Sequence, residues 1–392
     1  MKILEYYNIN YLRPSGGPAG YLYNLKKMCD EKKDSEFFFL DNNIFKTKFP
    51  YIIERSFHHF FQEDRKEKTG IIRSIKNTIW ESQHVGRFFP EKYDLIHFHT
   101  TAQLYSQKKA LQNYHGIIVL TSHSPKVTFK ENIEDFANHE AYISNKELFD
   151  NAESFDEFAF QRADYIIFPC PGAEEPYYHS WPKYVKIRDT NKIRYVPTGV
   201  LPVNCKLSRN EVRQKYKIPQ NAILLSYVGR HNEVKGYDIL KTIFEKMENV
   251  YVICCGRIEA INPPINNRWI EVGWTSDPYS IVEASDVYLL PNRETYFDIA
   301  MLQTLSIGKC SVISNTGGNK EFINTAGVKL FNNIDEAINE IHAFTSLSVD
   351  ERNALEEKQR SEFKERYTAE IFYNNYKATL HKIYNEHGKN LK

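Results

Sequence analysis

Two doubly wound α/β domains, each built on a parallel sheet, are the fold class this sequence predicts. Short runs of apolar, β-branched and aromatic residues alternate with longer amphipathic stretches over nearly all of the 392 residues. The runs lack a strict polar/apolar alternation, so they read as strands buried on both faces and covered by helices, which is the habit of parallel sheets. They also fall into two series. The break between them lies near TGVLPVNCKLSRNEVRQ, where Gly199, Pro202 and polar residues interrupt the pattern.

The first series runs MKILEYY, EFFFL, YDLIHFH, GIIVLTSH, ADYIIFP and IRYVP, with helical patterns between its members. A hinge is expected at about residues 198–206. The second series is ILLSYVG, VYVICCG, WIEVGW, VYLLP and CSVIS. After it, Ile371, Phe372, Tyr376, Leu380, Ile383 and Tyr384 recur at helical spacing and form one apolar stripe. The expected domains are therefore 1–200 and 201–370, with a closing helix at 371–392.

Composition narrows the function classes. Hydrophobic residues are 42% of the chain and charged residues 26%, enough apolar surface for real cores. Lys and Arg total 51 against 50 Asp and Glu, a net charge of +1. A dedicated nucleic-acid binder needs a surplus of positive charge, so no nucleic-acid partner is expected. The six cysteines are scattered without zinc-ligand spacing, which reads as reduced thiols in a cytoplasmic protein. Glu5 and Asn8 fall where a secretory signal would be apolar, and the apolar runs are far shorter than a membrane span.

Ligands of open α/β sheets bind beyond the carboxyl ends of the strands, so the loops there carry the candidate residues. In RPSGGPAGYLYNL, Gly16 and Gly17 allow backbone amides to approach a phosphate at a helix start. In LLSYVGRHNEVKGYDIL, Gly229, Arg230, Lys235 and Gly236 place two cations at a strand end, flanking a position for a diphosphate. In VYLLPNRETYFDIAMLQTLSIGKCSVISNTGGNKEFI, Glu294 follows a buried strand and is expected to face a cleft. Gly317 and Gly318 form a further tight turn. His97 and His99 lie two apart on one strand face; with no third ligand suggested nearby, packed or cleft-lining side chains are the expectation. His123, ending GIIVLTSH, is the better functional candidate.

Taken in order, Gly16-Gly17, His123, VPTG, GRHNEVKG, WTSDPYSIVEASDVYLLPNRE and TGGNKEF resemble the landmarks of the GT-B glycosyltransferases, specifically the retaining family 4. The resemblance implies a GT-B fold, two Rossmann-like domains facing a central cleft. Residues 1–200 would be the acceptor side and 201–370 the nucleotide-sugar-binding side, with helix 371–392 crossing back to the first. It implies that Arg230 and Lys235 clamp the donor diphosphate while amides at Gly16 and Gly17 complete the cradle. Glu294 would hold the sugar hydroxyls, helped by amides of Thr295, Tyr296 and Phe297. Trp274 and Thr275 would border the base, and His123 would lie near the transferred sugar. No metal or other cofactor is implied; the co-substrate is a nucleotide sugar, UDP-sugar by default. One departure stands out. Gln303 takes the place of the family's second glutamate, with one residue inserted; an amide can still bond ribose hydroxyls.

The expected acceptor is a glycan, lipid-linked or glycoprotein hydroxyl in surface polysaccharide or glycoconjugate synthesis. GIIRSIKNTIWESQ joins Arg73 and Lys76 to Ile71, Ile72, Ile75, Ile79 and Trp80, a pattern suited either to anionic membrane at the inner face or to ordinary packing. The alternative function is a catalytically inactive GT-B partner of another transferase, motivated by Gln303. An epimerase or a phosphorylase is less favoured, since nothing identifies a lysine for pyridoxal phosphate.

Overall fold

A computed structural model describes residues 1–8, 12, 14, 16–40, 70–84, 88–134 and 143–390. The chain divides into two compact units. The first comprises Met1–Phe168, Pro176–Val196 and Asn375–Lys392; the second comprises Pro169–Glu175 and Pro197–Asn374.

The first unit is a six-stranded parallel sheet of β1 (Ile3–Tyr6), β2 (Phe37–Phe39), β3 (Leu95–Phe98), β4 (Ile117–Leu120), β5 (Tyr165–Phe168) and β6 (Ile193–Tyr195), in the order β2-β1-β3-β4-β5-β6. The four inner strands are buried at every residue, whereas β2 and β6 at the edges expose part of their length. Unbroken apolar runs therefore mark the centre of the sheet, as a helix-covered parallel sheet requires. The strand order reverses between β1 and β3, which is where such a sheet opens a crevice for ligands.

The second unit repeats the plan with β7 (Ile223–Val228), β8 (Val250–Cys255), β9 (Trp269–Gly273), β10 (Val287–Leu290), β11 (Ser311–Ser314) and β12 (Val328–Phe331). Their order is β12-β11-β10-β7-β8-β9, all parallel. This is the Rossmann order, with its switch point between β7 and β10. One face is closed by Tyr237, Leu240, Ile243, Ala337 and Ile341, packed with Leu225, Val252 and Leu289. The other is closed by Val212, Ile281 and Ala284 with Leu224 and Ile253.

A buried charge ties this unit together. Asp286 Oδ1 meets Arg209 at 2.7 Å and Arg352 at 3.0 Å, while Oδ2 takes Arg213 at 3.0 Å and the Leu224 amide at 2.8 Å. Burial alone would raise this carboxyl, but Arg209, the Leu224 amide and Arg213 hold it below its ordinary range.

The helix Ala369–Asn390 buries Phe372, Tyr376, Leu380 and Ile383 completely, four of the residues read as its apolar stripe. Tyr384 departs from that stripe at 42% exposed, and Tyr373 is buried in addition. From Asn375 onward the helix belongs to the first unit. There Lys377 reaches Asp34 at 2.6 Å and Glu36 at 2.7 Å. The linker after β6 is fixed in the second unit: the Val200 amide donates to Tyr367 O, and a Cβ on Gly199 would lie 2.2 Å from Thr368 O. Gly199 therefore serves a close backbone approach, not simply a break in pattern.

The helix Gly70–Ser82 turns Ile72 and Ile75 into the core. Trp80 is half-buried and stacks on His84 with ring centroids 4.2 Å apart, and Lys76 is exposed.

Candidate functional site

In the second unit the two loops at the switch point lie on one another. The loop after β7 ends at Gly236, which has φ +63° and caps the helix Tyr237–Lys246. A Cβ there would lie 1.8 Å from Pro291 O, in the loop after β10. Both conformation and contact demand glycine. Tyr227 on β7 braces the same loop, its hydroxyl reaching the carbonyls of Arg230 (2.7 Å) and Lys235 (3.4 Å). Gly229 continues the ladder through its amide to Cys255 O at 2.9 Å.

These contacts position the two cations. Lys235 Nζ donates to Asp298 Oδ2 at 2.6 Å, and Asn292 donates to the same oxygen at 2.7 Å. An ammonium has three protons, so this single bond fixes the lysine while leaving donors for a ligand. Burial works to raise the Asp298 carboxyl, but Lys235, Asn292 and the charge of Arg230 hold it low. Arg230 is 44% exposed and has Glu259 at 3.8 Å. Asp298 carries no functional signal in the sequence. An acid just before a helix reads as a cap, yet at the start of the helix Ile299–Ile307 its side chain caps nothing.

Glu294 sits half-buried in the same loop, followed by buried Thr295, Tyr296 and Phe297. That stretch is clamped by the turn at Gly317 and Gly318. The Gly318 amide donates to Thr295 O at 3.1 Å, and Thr316 Oγ1 donates to Arg293 O at 3.0 Å. A Cβ on Gly317 would lie 2.2 Å from Thr295 O, and one on Gly318 would lie 2.0 Å from Tyr296 O. Gly172 packs on this turn in turn, with space for a Cβ closed by Gly317 O at 2.3 Å. The two glycines thus hold the residues after Glu294 by close backbone contact.

Gln303 lies on the helix Ile299–Ile307, where Tyr279 donates its hydroxyl to the amide oxygen. Trp274 follows β9 and is 83% exposed, a large ring held at a strand's carboxyl end. Thr275 Oγ1 accepts from the Asp277 amide at 3.1 Å.

In the first unit, Gly17 opens the helix Gly17–Glu31 with φ +72°, and a Cβ on it or on Gly16 would meet nothing within 4 Å. Among the described residues the helix has no side-chain cap and no acid in its first turn, an N-terminus suited to an anion. His123 follows β4 with φ +55°, a backbone state costly for a non-glycine residue and typical of functional positions. It is half-buried, and behind it lies a buried polar cluster. His123 Nε2 is 2.9 Å from His99 Nδ1, and His99 Nε2 is 2.7 Å from Glu5 Oε2. Glu5 Oε1 is 2.7 Å from the Tyr376 hydroxyl, which also contacts His97 Nδ1. His97 Nε2 is 2.8 Å from Thr121 Oγ1, which donates to Ile167 O at 3.0 Å.

So His97 and His99 do acquire a third chemical partner, Glu5, with one ligand atom of each within 4.8 Å of the others. Their ring nitrogens and carboxylate oxygens are all engaged by the hydrogen bonds just described. Burial pushes Glu5 up to about 8 and His99 down to about 3; it also drives His97 and His123 well below the ordinary range. The signal for Glu5 was present in the sequence as a charged residue inside an otherwise apolar strand.

Residues 208–362 match the family model of glycosyl transferases group 1. A comparison with curated protein sequences gives no match. Among solved structures, the chain is similar to sucrose-phosphate synthase from Thermosynechococcus elongatus at 14% identity and a TM-score of 0.66, covering 98% of this chain and 99% of that one. It is similar to HepE from Anabaena in complex with UDP-glucose at 15% identity and a TM-score of 0.59, over 97% of this chain and 100% of that one. A glycosyltransferase from Rickettsia africae gives 15% identity and a TM-score of 0.61, over 99% of each chain. These likenesses show a GT-B fold of two Rossmann-like units. With the family match in the second unit, they support a group 1 glycosyltransferase.

Proposed function

We propose that the protein is a retaining glycosyltransferase of family 4, which moves a sugar from a nucleotide-sugar donor, UDP-sugar in particular, to a hydroxyl of a glycan, lipid-linked or protein-borne acceptor. The observation that carries this reading is the pair Arg230 and Lys235 at the switch point of the second unit. One is half-exposed and the other is fixed by Asp298 with protons to spare. Their segment lies inside the family match, and one structural neighbour is a complex with UDP-glucose.

In this reading Arg230 and Lys235 bind the diphosphate, and the ring of Trp274 with Thr275 borders the base. Glu294 and the amides of Thr295, Tyr296 and Phe297 hold the sugar. Gln303 bonds the ribose through the amide end that Tyr279 does not occupy. Gly16 and Gly17 offer amides to phosphate, and His123 meets the sugar. As the bond to the anomeric carbon breaks, negative charge grows on the leaving diphosphate. Fixed cations and dipoles stabilise it without reorganising, each such donor contributing about 2.7–4 kcal/mol. The departing phosphate takes the acceptor proton on the same face of the sugar, which retains configuration and assigns no role to a metal. The acceptor is placed in surface polysaccharide or glycoconjugate synthesis. Contact with anionic membrane through Arg73 and Lys76, at the inner face, belongs to the same proposal; absence of co-sedimentation with anionic liposomes at low salt removes that part.

Nucleoside diphosphate release from a panel of nucleotide sugars tests the reading. Turnover that disappears in Arg230→Ala supports it. The second reading, a non-catalytic GT-B partner, is favoured by the Tyr279 hydroxyl bound to Gln303; donor binding without turnover would select it.

A further inference from the structure

The hydrogen bonds behind His123 run in sequence from His99 to Thr121, and the far end has a fixed direction. The carbonyl of Ile167 has no proton, so Thr121 must donate to it. With the hydroxyl proton committed there, His97 Nε2 must donate to Thr121 Oγ1. A neutral imidazole carries one N–H, so His97 Nδ1 accepts, and the proton it accepts comes from Tyr376. With every imidazole neutral, Tyr376 Oη then receives a proton from Glu5 Oε1 and this carboxyl is a neutral acid; with Glu5 as a carboxylate, the same contact has Tyr376 donating to Oε1. Oε2 accepts the N–H of His99 Nε2, and His99 Nδ1 accepts the N–H of His123 Nε2.

With the same number of protons, only one other arrangement satisfies every bond. Glu5 passes its proton to Tyr376 and Tyr376 passes its own to His97, giving a carboxylate and an imidazolium. Burial of both groups disfavours that form, in keeping with the raised Glu5 and depressed His97. Either way the order on the other arm is unchanged: His99 and His123 both carry their proton on Nε2.

We propose that Glu5, His97, His99, Thr121 and Tyr376 are positioning residues that lock His123 in its Nε2–H tautomer, so that His123 Nδ1 accepts a hydrogen bond instead of donating one. Glu5, His97, His99, Thr121 and Tyr376 are buried, and His123, with its left-handed backbone, is the member of the chain that is not. An acceptor nitrogen suits a hydroxyl of the transferred sugar and is repelled by the oxygens of its phosphates. The assignment of that hydroxyl rests on the glycosyltransferase reading above; the tautomer does not.

The test is the imidazole nitrogen spectrum of the ligand-free, ¹⁵N-histidine-labelled chain near neutral pH. His123 is assigned by the signals lost in His123→Asn. The expected wild-type spectrum has Nε2 protonated and Nδ1 bare at His123. Glu5→Gln keeps that spectrum, because the amide oxygen accepts from His99 while the amide nitrogen donates to Tyr376. Glu5→Met removes both bonds and gives a mixture of tautomers at His123. A wild-type His123 protonated on Nδ1 overturns the proposal even where Glu5→Met does not fold, and so does an unchanged His123 spectrum in a folded Glu5→Met. Titrating the same sample with UDP-glucose reads donor binding separately, so failure of the glycosyltransferase reading and failure of the lock give different results.

Discussion

Lys235 and Asp298 are coupled, so each variant of the pair has its own signature. Lys235→Met removes a cation from the leaving group and deprives a low-lying carboxyl of its first stabilising charge. Donor turnover is expected to fall about 10²–10³-fold, the magnitude typical for loss of one preorganised donor that stabilises developing negative charge. Nucleoside diphosphate released per mole of enzyme measures it. Asp298→Asn keeps the cation but loosens its position, and weaker donor affinity is the expected result. Asp286 is a different case, concerned with stability alone. Asp286→Ala leaves Arg213 fully buried without its carboxylate. Removing one partner of a buried pair costs about 3–5 kcal/mol, which a urea melt reads directly.

At the scale of elements, the segment after Glu294 is held by glycine contacts, not by side chains. Gly318→Ala pushes a methyl group into Tyr296 O, where contact would fall to 2.0 Å. The expected outcome is a displaced loop, destabilisation of about 1–3 kcal/mol, and a loss of donor affinity exceeding the loss of stability. Comparing nucleotide binding with a thermal melt separates the two effects. This element also shows what a sequence conceals. The inner strands were legible because parallel strands covered by helices are apolar at nearly every position, and β1, β3, β4, β5 and β10 are buried throughout, Glu5 and His97 included. Arg230, Lys235 and the TGG turn were legible because a strand, glycine and cation in that order are uncommon by chance. Asp298, Asn292 and Tyr376 were not, because their partners lie 63, 6 and 371 residues away and only the folded chain pairs them. Tyr376 reads as one more stripe residue until its hydroxyl is seen to end on Glu5.

For the chain as a whole, the buried cluster of the first unit sets the pH range of stability. His97, His99 and His123 stay neutral when folded, His99 down to about 3, but take protons near 6.5 once unfolded. The unfolded state binds the extra protons, so stability falls as pH drops from 6.5. Glu36, held at about 2, adds a loss below 4.5; although burial opposes it, bonds from Lys377, His381 and the N-terminus prevail. Glu5 acts in the opposite sense. Burial keeps its proton up to about 8 in the folded state against 4.5 for an ordinary glutamate, so its contribution declines as pH rises between those values. Below 6.5 the three histidines outweigh Glu5 and Asp156, the latter raised by burial to about 6, and above it Glu5 leads the decline. Hydrogen-exchange protection of β1, β3 and β4 is therefore expected to peak near pH 6.5 and to decline on both sides, more steeply toward acid.

Binding of a nucleoside diphosphate by the cations after β7 is the central expectation, and calorimetric titration of the purified chain with UDP measures it most directly. Binding is expected in the wild type and expected to weaken at least tenfold in both Arg230→Ala and Lys235→Met, with the ligand-free melting temperature unchanged in Arg230→Ala, whose side chain is 44% exposed. Equal UDP affinity in the wild type and both variants, or no heat of binding with any nucleoside diphosphate, would contradict it.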